Sequence, residues 1–256
     1  MAKVNRFKAG LAAGRRLMGC WASFASQTVA EILAGADLDF VVIDMEHAPN
    51  DLADVLVQLQ AMGGGRPHAV VRVPTNDRLA IRRLTDIGVD TILVPMVGSA
   101  EEARHAVESA LYPPAGLRGM AGSTRAAEYG RWPGYIGEAN AQSCVLVQVE
   151  SRGGLDNLDA ILAVPGLGGI VVGPADLSAS LGFVGQPNHP EAVKAIERIV
   201  RATQAAGLPV GTIATDSKTI EAYLQIGMNF LAVASDVSLF VRALDETLSK
   251  WRPRFG

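Results

Sequence analysis

The sequence predicts a (β/α)8 TIM barrel, and two observations carry that prediction. Short apolar runs of strand length alternate with helix-like stretches along the chain, and eight such runs occur. The length of 256 residues and a hydrophobic content of 49% suit a filled barrel with an outer ring of helices. We therefore expect one domain that spans residues 1–256.

The eight apolar runs are interpreted as strands with one helical region between each pair. Regular alternation of strand and helix favours a closed parallel barrel over an open sheet. The strands are predicted at Leu17–Ala22, Phe40–Asp44, Ala69–Val73, Thr91–Pro95, Cys144–Val149, Gly169–Val172, Pro209–Ile213 and Phe230–Ala234.

Short polar side chains mark the predicted helix starts, because they accept hydrogen bonds from the first free amides of a helix. Ser99 with Glu102 three positions later has the spacing of a capping box. The predicted N-caps are Ser26, Asp51, Asn76, Ser99, Ser151 and Thr215.

One segment, Tyr112–Asn140, departs from the regular alternation. It is too long and too rich in Gly, Pro and Arg for an ordinary connection, and its aromatic residues favour an ordered loop. Ordered loops of this length in compact domains usually cover a site. We therefore expect it to lie near the functional site.

Composition argues against several classes of partner. The net charge is −3 and no dense Lys/Arg tract occurs, so nucleic acid is not expected. The apolar runs are far shorter than the roughly 20 residues that span a bilayer, and the basic N-terminus lacks the apolar core of a signal peptide. Cys20 and Cys144 lie in apolar runs, which suits buried thiols in a reducing compartment. A cytoplasmic protein without a nucleotide cofactor is expected, since no Gly-rich phosphate-binding motif occurs.

Two carboxylates stand directly after neighbouring predicted strands. Glu150 follows Cys144–Val149, and Asp176 follows Gly169–Val172 by four residues. Because the carboxyl ends of barrel strands line one mouth, both carboxylates can meet there. A hard divalent cation, Mg²⁺ or Mn²⁺ rather than zinc, resolves their repulsion. The alternative is local: Glu150 caps the next helix and Asp176 stabilises a turn.

An arginine and a histidine belong to the same predicted rim. Arg72 ends its strand and needs an anionic partner there, either a carboxylate such as Asp44 or Glu46, or an anionic ligand. His47 lies three residues after Asp44, so that carboxylate can orient the imidazole and raise its pKa towards neutrality.

The lysines bear on the mechanism, because a Schiff-base aldolase needs a lysine that projects into the pocket. Four of the five lie in terminal or helical regions, and Lys218, a few residues after the seventh strand, is the one weak candidate. The five are Lys3, Lys8, Lys194, Lys218 and Lys250. Metal-assisted enolisation is therefore preferred.

Several motifs in order resemble the HpcH/HpaI family of metal-dependent, class II pyruvate aldolases over nearly the whole chain. No single motif is specific, but their order and spacing together are. They are Asp44–Asn50 (DMEHAPN), Arg72–Pro74 (RVP), Tyr112–Pro114 (YPP) with Gly116–Gly119 (GLRG), Gln148–Glu150 (QVE) and Gly173–Leu177 (GPADL).

The resemblance implies a reaction and a role for each rim residue. The reaction is reversible cleavage of a 4-hydroxy-2-oxo acid, 4-hydroxy-2-oxoheptanedioate-like, to pyruvate and an aldehyde. Glu150 and Asp176 would hold a divalent metal (Mg²⁺, Mn²⁺ or Co²⁺), and Arg72 would stabilise the enolate. The resemblance also implies an acid/base dyad of His47 and Asp44.

Further implied features concern substrate binding and assembly. Gln148 would lie beside the pyruvate, and backbone amides over Gly173, Pro174, Ala175 and Asp176 would hold its carboxylate. The family pattern implies a homo-oligomer, a hexamer with exchanged C-terminal helices. Residues 120–125 depart from a fixed pattern, and Arg125 is expected to bind an acidic aldehyde.

Three alternative functions stay open from the sequence. A 2-dehydro-3-deoxyglucarate-type aldolase would share the site residues and differ in the aldehyde. A citrate-lyase-type enzyme acting on CoA thioesters is disfavoured, because no basic nucleotide groove is indicated. A non-catalytic barrel that binds 2-oxo acids would use the same groups without turnover, and fold alone does not distinguish these functions.

Overall fold

Eight parallel strands close into a barrel in which each strand pairs with the next along the chain and β8 pairs with β1. The computed structural model describes residues 4–255. The TIM-barrel prediction is therefore confirmed, with strand ends that shift by at most two residues. The strands are β1 Leu17–Ala22, β2 Phe40–Asp44, β3 His68–Arg72, β4 Thr91–Val94, β5 Cys144–Val149, β6 Leu167–Val172, β7 Val210–Ile213 and β8 Phe230–Ser235.

Helices connect the strands and pack around the barrel. Two short 3-10 turns, Glu128–Gly130 and Arg252–Arg254, accompany them. The helices are α1 Arg6–Ala12, α2 Gln27–Ala34, α3 Leu52–Ala61, α4 Arg78–Asp86, α5 Ala100–Ala110, α6 Tyr135–Gln142, α7 Arg152–Asp156, α8 Leu158–Leu162, α9 Pro174–Ser180, α10 Pro190–Ala205, α11 Ser217–Gln225 and α12 Asp236–Trp251. None of these helices is long and apolar enough to cross a membrane.

Four predicted helix caps are confirmed by side-chain hydrogen bonds to backbone amides: Ser26, Asp51, Ser99 and Ser151. Two others were wrong by one residue. Asp77 and Asp216 cap α4 and α11 in place of Asn76 and Thr215. The expected capping box at α5 also differs, because the Glu102 carboxylate accepts its hydrogen bond from Gly98 N at 2.7 Å.

A cluster of three phenylalanines fills the amino end of the barrel. Phe7 of α1 is fully buried, and its ring centroid lies 5.3 Å from that of Phe40 and 5.1 Å from that of Phe230. Such edge-to-face pairs add to the free energy gained by burial. Helix α1 thus closes this end of the barrel, which leaves the carboxyl end as the open mouth.

The long segment after α5 lies at the closed end. Because helices return antiparallel to the strands, α5 ends and β5 begins at the amino end of the barrel, and residues 111–143 connect them there. Arg118 Nη2 bonds Asp86 Oδ1 at 3.0 Å, near the end of α4, and holds the segment against the barrel. The segment is ordered as predicted. The expectation that it covers the mouth of its own barrel was wrong, since its place in the chain puts it at the opposite end.

Candidate active site

The predicted rim residues come together at the carboxyl end of the barrel. Asp44 is the last residue of β2 and Arg72 is the last residue of β3. The register between these strands places the two residues opposite each other. Glu150 directly follows β5, and Asp176 lies in the first turn of α9, just after β6. The ends of the parallel strands therefore bring one arginine and three carboxylates to one mouth.

Arg72 is held by carboxylates from the neighbouring strand and loop. Its Nε and Nη2 donate to Asp44 Oδ1 and Oδ2 at 2.8 and 2.7 Å, and its Nη1 lies 2.7 Å from Glu46 Oε2. Its guanidinium also lies 4.9 Å from the centroid of the Trp21 ring. Arg72 is only 6% exposed, so these contacts fix its plane inside the mouth.

The two carboxylates around Arg72 differ in protonation behaviour. Burial acts to raise the pKa of Asp44, but the hydrogen bond and charge of Arg72 outweigh it, and the pKa is lowered. Burial raises the pKa of Glu46 above its ordinary value in spite of the charges of Arg72 and His47. Glu46 Oε2 is buried and receives no well-directed hydrogen bond, although it is close to Arg72. Asp44 therefore stays ionised, and Glu46 is the carboxylate that takes up a proton more readily.

The predicted side-chain dyad of Asp44 and His47 is not formed. Among the described residues, the Asp44 carboxylate accepts from the backbone amides of Glu46 and His47 and from Arg72, not from the imidazole. The His47 ring is 65% exposed, and its Nε2 lies 3.9 Å from Glu46 Oε2. Arg72 binds both oxygens of Asp44, which leaves Glu46 as the carboxylate beside His47.

Glu150 is oriented by two donors. It is 2% exposed, its Oε1 accepts from Met96 N at 2.7 Å, and its Oε2 accepts from Gln148 Nε2. Burial raises the pKa of Glu150 above its ordinary value, the two donors lower it, and the negative charges of Asp176 and Glu46 raise it again. A positive charge placed between these carboxylates would favour the ionised form of Glu150.

Met96 contributes a backbone amide to the site, a role that the sequence did not predict. Its φ is +55°, a left-handed conformation that is rare for a residue with a side chain. That conformation accompanies the amide hydrogen bond to Glu150. Trp21 and the role of Glu46 beside His47 were also missed. A strained dihedral has no sequence signal, whereas Trp21 was detectable as an aromatic residue on a predicted strand.

The donor set fits a hard divalent cation. Gln148 is 5% exposed, and its Oε1 is buried without a hydrogen-bond partner. A Cβ at Gly173 would overlap Glu150 Oε2, so only glycine leaves room for that oxygen. Within residues 4–255 no group of three or more His, Cys, Asp or Glu side chains is arranged to hold a metal. Glu150 and Asp176 would offer two carboxylate ligands and leave the remaining positions to water and substrate, an arrangement that suits Mg²⁺ or Mn²⁺.

The loop from β6 into α9 supplies backbone amides near these carboxylates. Pro174 is the first residue of α9, and Leu177 N donates to Gly173 O, the first hydrogen bond of the helix. The amides of Ala175 and Asp176 therefore have no partner within the helix. Both residues are exposed at the mouth, which suits the predicted contact with a carboxylate.

Arg125 lies elsewhere, so its predicted place at this mouth was wrong for a single chain. Its Nη1 donates to Ile87 O at 2.5 Å, in the turn that leads into β4 at the amino end. The physical reason is the position of its segment between α5 and β5. Lys8 also lies at that end, where its Nζ bonds Ala141 O at 2.8 Å, and Lys218 is exposed in α11. None of the four lysines within residues 4–255 lies on a strand, and Lys3 is outside the described residues.

Comparisons with known proteins agree with this geometry. The model of the family "HpcH/HpaI aldolase/citrate lyase" matches residues 17–243. The chain is 45% identical over 252 residues to a hydroxypyruvate/pyruvate aldolase of Roseovarius nubinhibens, covering 98% of both chains. It is 44% identical over 248 residues to a 4-hydroxy-2-oxo-heptane-1,7-dioate aldolase of Escherichia coli, covering 96% of this chain and 95% of the other.

A solved structure extends the likeness to three dimensions. The structure of an HpcH/HpaI aldolase/citrate lyase family protein from Burkholderia cenocepacia is 40% identical, covers 97% of this chain and all of its own, and superposes with a TM-score of 0.94. Sequence identity at this level over full length shows family membership. The chain is therefore a lyase that belongs to the HpcH/HpaI aldolase/citrate lyase family.

Proposed function

We propose that the chain is a divalent-metal-dependent aldolase that reversibly cleaves a 4-hydroxy-2-oxo acid, 4-hydroxy-2-oxoheptanedioate-like, to pyruvate and an aldehyde. The observation that carries the proposal is the buried Arg72 at the same mouth as Glu150, Gln148 and Asp176. A fixed cation and a pair of carboxylates suited to a metal at one mouth support metal-assisted enolate chemistry. The pyruvate and 4-hydroxy-2-oxo acid chemistry in the names of the two similar aldolases supports it.

Glu150 and Asp176 would hold the ion, Mg²⁺, Mn²⁺ or Co²⁺, at the carboxyl end of β5 and β6. When bound, the ion withdraws electrons from the 2-oxo acid and eases formation of the enolate. Gln148 presents its unpartnered Oε1 beside Glu150. The free amides of Ala175 and Asp176 would donate hydrogen bonds to the pyruvate carboxylate.

Arg72 would stabilise the negative charge that develops on the enolate oxygen. Its planar fork is already fixed by Asp44, so little reorganisation accompanies the reaction. Asp44 then has the role of a positioning residue, since its lowered pKa keeps it ionised. This differs from the dyad partner that the family resemblance implies.

His47 would remove the C4 hydroxyl proton during cleavage and return it during condensation. Its ring stands at the rim and is open to solvent, so protons can exchange there. Glu46 Oε2 lies 3.9 Å from His47 Nε2 and 2.7 Å from Arg72 Nη1, so this carboxylate links the imidazole to Arg72. The acid/base unit would therefore be His47 with Glu46, which the short separation of these two side chains supports.

The deciding experiment is proton NMR of pyruvate in D₂O with metal-stripped protein, before and after addition of Mg²⁺ or Mn²⁺. Loss of the methyl signal only with metal is expected. Exchange without metal would instead indicate a lysine mechanism through Lys218. Pyruvate binding without exchange under either condition would favour the non-catalytic 2-oxo acid binder.

A panel of aldehydes then separates the substrate classes. Cleavage and condensation with succinic semialdehyde are expected for the heptanedioate-like substrate. Preference for a hydroxylated three-carbon acid aldehyde would favour the 2-dehydro-3-deoxyglucarate type. A requirement for CoA thioesters would overturn both aldolase assignments.

We also propose a homo-oligomer, a hexamer by family resemblance, assembled through α12. This helix leaves large apolar side chains exposed on its surface, by 39% to 60% of their area: Leu239, Phe240, Val241, Leu244, Leu248 and Trp251. Phe240 already packs edge-on against the exposed Phe24, with ring centroids 5.8 Å apart. An apolar helix face of this kind is typical of an interface with another copy.

A further inference from the structure

A cavity of about 70 Å³ lies at the amino end of the barrel, opposite the mouth. Its walls come from the end of α4, the turn into β4, the segment 111–134 and α6. The volume suffices for several waters or one small organic molecule. None of its lining residues takes part in the candidate active site, so the cavity needs its own explanation.

Arg118 lines the cavity and carries an unpaired donor. It is 5% exposed, and its Nη2 donates to Asp86 Oδ1 at 3.0 Å and to Tyr135 Oη at 3.1 Å. Its Nε is buried and has no hydrogen-bond acceptor. A buried charged donor without an acceptor is destabilising, so an acceptor oxygen brought by a ligand would be bound favourably.

A second guanidinium faces the same space. Arg125 lines the cavity, and its one hydrogen bond to the described chain goes to Ile87 O at 2.5 Å. Asp90 also lines the cavity, but its carboxylate is bound by His68 Nε2 at 2.8 Å and by Asn5 Nδ2 at 3.3 Å. Among the described lining residues, Arg118 is paired with Asp86, whereas Arg125 forms no ion pair with a carboxylate and keeps donors available to an anion.

The partly aromatic walls select among anions. The Arg118 guanidinium lies 4.3 Å from the centroid of the Tyr112 ring, which holds its plane. Trp132 and Tyr135 line the cavity and pack together with ring centroids 5.4 Å apart. Planar guanidinium groups match the geometry of a carboxylate, and the aromatic rings offer apolar contact to a short alkyl group.

We propose that this cavity binds a small aliphatic monocarboxylate, with Arg118 Nε and Arg125 as donors and Trp132 against the alkyl end. It is a second ligand site, at the opposite end of the barrel from the proposed aldolase site and independent of it. A bound carboxylate would join the long segment to the end of α4.

The test is ¹⁹F NMR of trifluoroacetate added to metal-stripped protein at constant ionic strength. Line broadening that acetate reverses and chloride does not is expected. Arg125→Gln should weaken the affinity about tenfold, the effect of one charge-assisted hydrogen bond. Ala139→Leu, which fills the cavity without removing a donor, should abolish binding, and circular dichroism would verify that both variants fold.

Arg72→Lys is the control for the mouth and should leave trifluoroacetate binding unchanged. The second site would be overturned if Arg72→Lys abolished trifluoroacetate binding while Arg125→Gln preserved it. The proposal would also be overturned if no trifluoroacetate bound at about 50 mM, which corresponds to a very weak dissociation constant. Tighter binding of inorganic phosphate than of acetate would overturn the carboxylate class. Because the protein is metal-free, none of these outcomes depends on the proposed aldolase reaction.

Discussion

Arg72 and Asp44 form a two-point ion pair inside the barrel mouth, with Nε to Oδ1 at 2.8 Å and Nη2 to Oδ2 at 2.7 Å. The register between β2 and β3 sets these two residues side by side. Both side chains are 7% exposed or less, so water screens the pair little. The pair fixes the arginine that the proposed chemistry needs.

Arg72→Lys should lower turnover at least about 100-fold, because a point charge does not replace the planar fork beside Asp44 and Glu46. Steady-state cleavage kinetics and pyruvate proton exchange would measure the loss. Arg201→Lys, in an exposed helical ion pair with Glu197, is the matched control and should keep full activity. Turnover of Arg72→Lys at the wild-type rate would contradict the role of Arg72.

Asp44→Asn should lower the free energy of unfolding by about 3 kcal/mol at pH 7, since it breaks a buried pair. The folded-state pKa of Asp44 is lowered, so the stability it contributes is present above the unfolded pKa and lost as pH falls through the folded pKa. The gap between wild type and variant in urea unfolding should therefore close below about pH 4. Glu197→Gln, the exposed control, should cost about 0.5 kcal/mol or less, and a gap that does not vary with pH would contradict the ion-pair explanation.

Glu150→Gln and Asp176→Asn should each weaken Mn²⁺ binding at least about 100-fold. This loss exceeds the one expected when a residue that only hydrogen-bonds a metal ligand is replaced. Calorimetric titration of metal-stripped protein would measure the affinity. Burial raises the pKa of Glu150, so wild-type affinity should fall as the solution becomes acidic and protons compete for the carboxylate. Asp159→Asn, in the first turn of α8, is the control; equal losses in the control would argue against a site at the mouth.

Gly173→Ala should weaken Mn²⁺ binding about tenfold or more, because the new Cβ would overlap Glu150 Oε2 and lie 2.7 Å from Glu150 Cβ. The Glu150 carboxylate must then move from its present position. Gly137→Ala in α6 meets no atom within 4 Å and should leave metal binding unchanged while it stabilises the helix slightly. Similar metal affinities for the two variants would show that the close approach at Gly173 has no function.

Phe240→Glu should shift the protein to smaller assemblies, because it places a charge on the apolar face of α12. Sedimentation velocity at several protein concentrations would measure the assembly state. Glu246→Gln lies in the same helix without altering its apolar residues and should leave assembly unchanged. A monomeric wild-type protein would remove the interface proposal, whatever the variants do.

Much of the fold could be predicted from the chain alone. Apolar runs bounded by polar residues mark a barrel strand wherever the side chains are buried on both faces, as at Phe40–Asp44 and Cys144–Val149, whose limits agree with the structure. The polar residues that end these runs lie at the mouth for the same reason. A carboxylate or arginine after a buried strand has no place in the core, so its position in sequence already locates it in space.

What the sequence determined by itself is thus the barrel, its family and the residues at the mouth. The tertiary structure decided which of those residues pair. Arg72 takes both oxygens of Asp44, His47 is left beside Glu46, and Met96 adopts a left-handed backbone as its amide bonds Glu150. It also placed Arg125 at the closed end. Partner choice depends on distances between side chains from different strands, and these distances exist only once the barrel has closed.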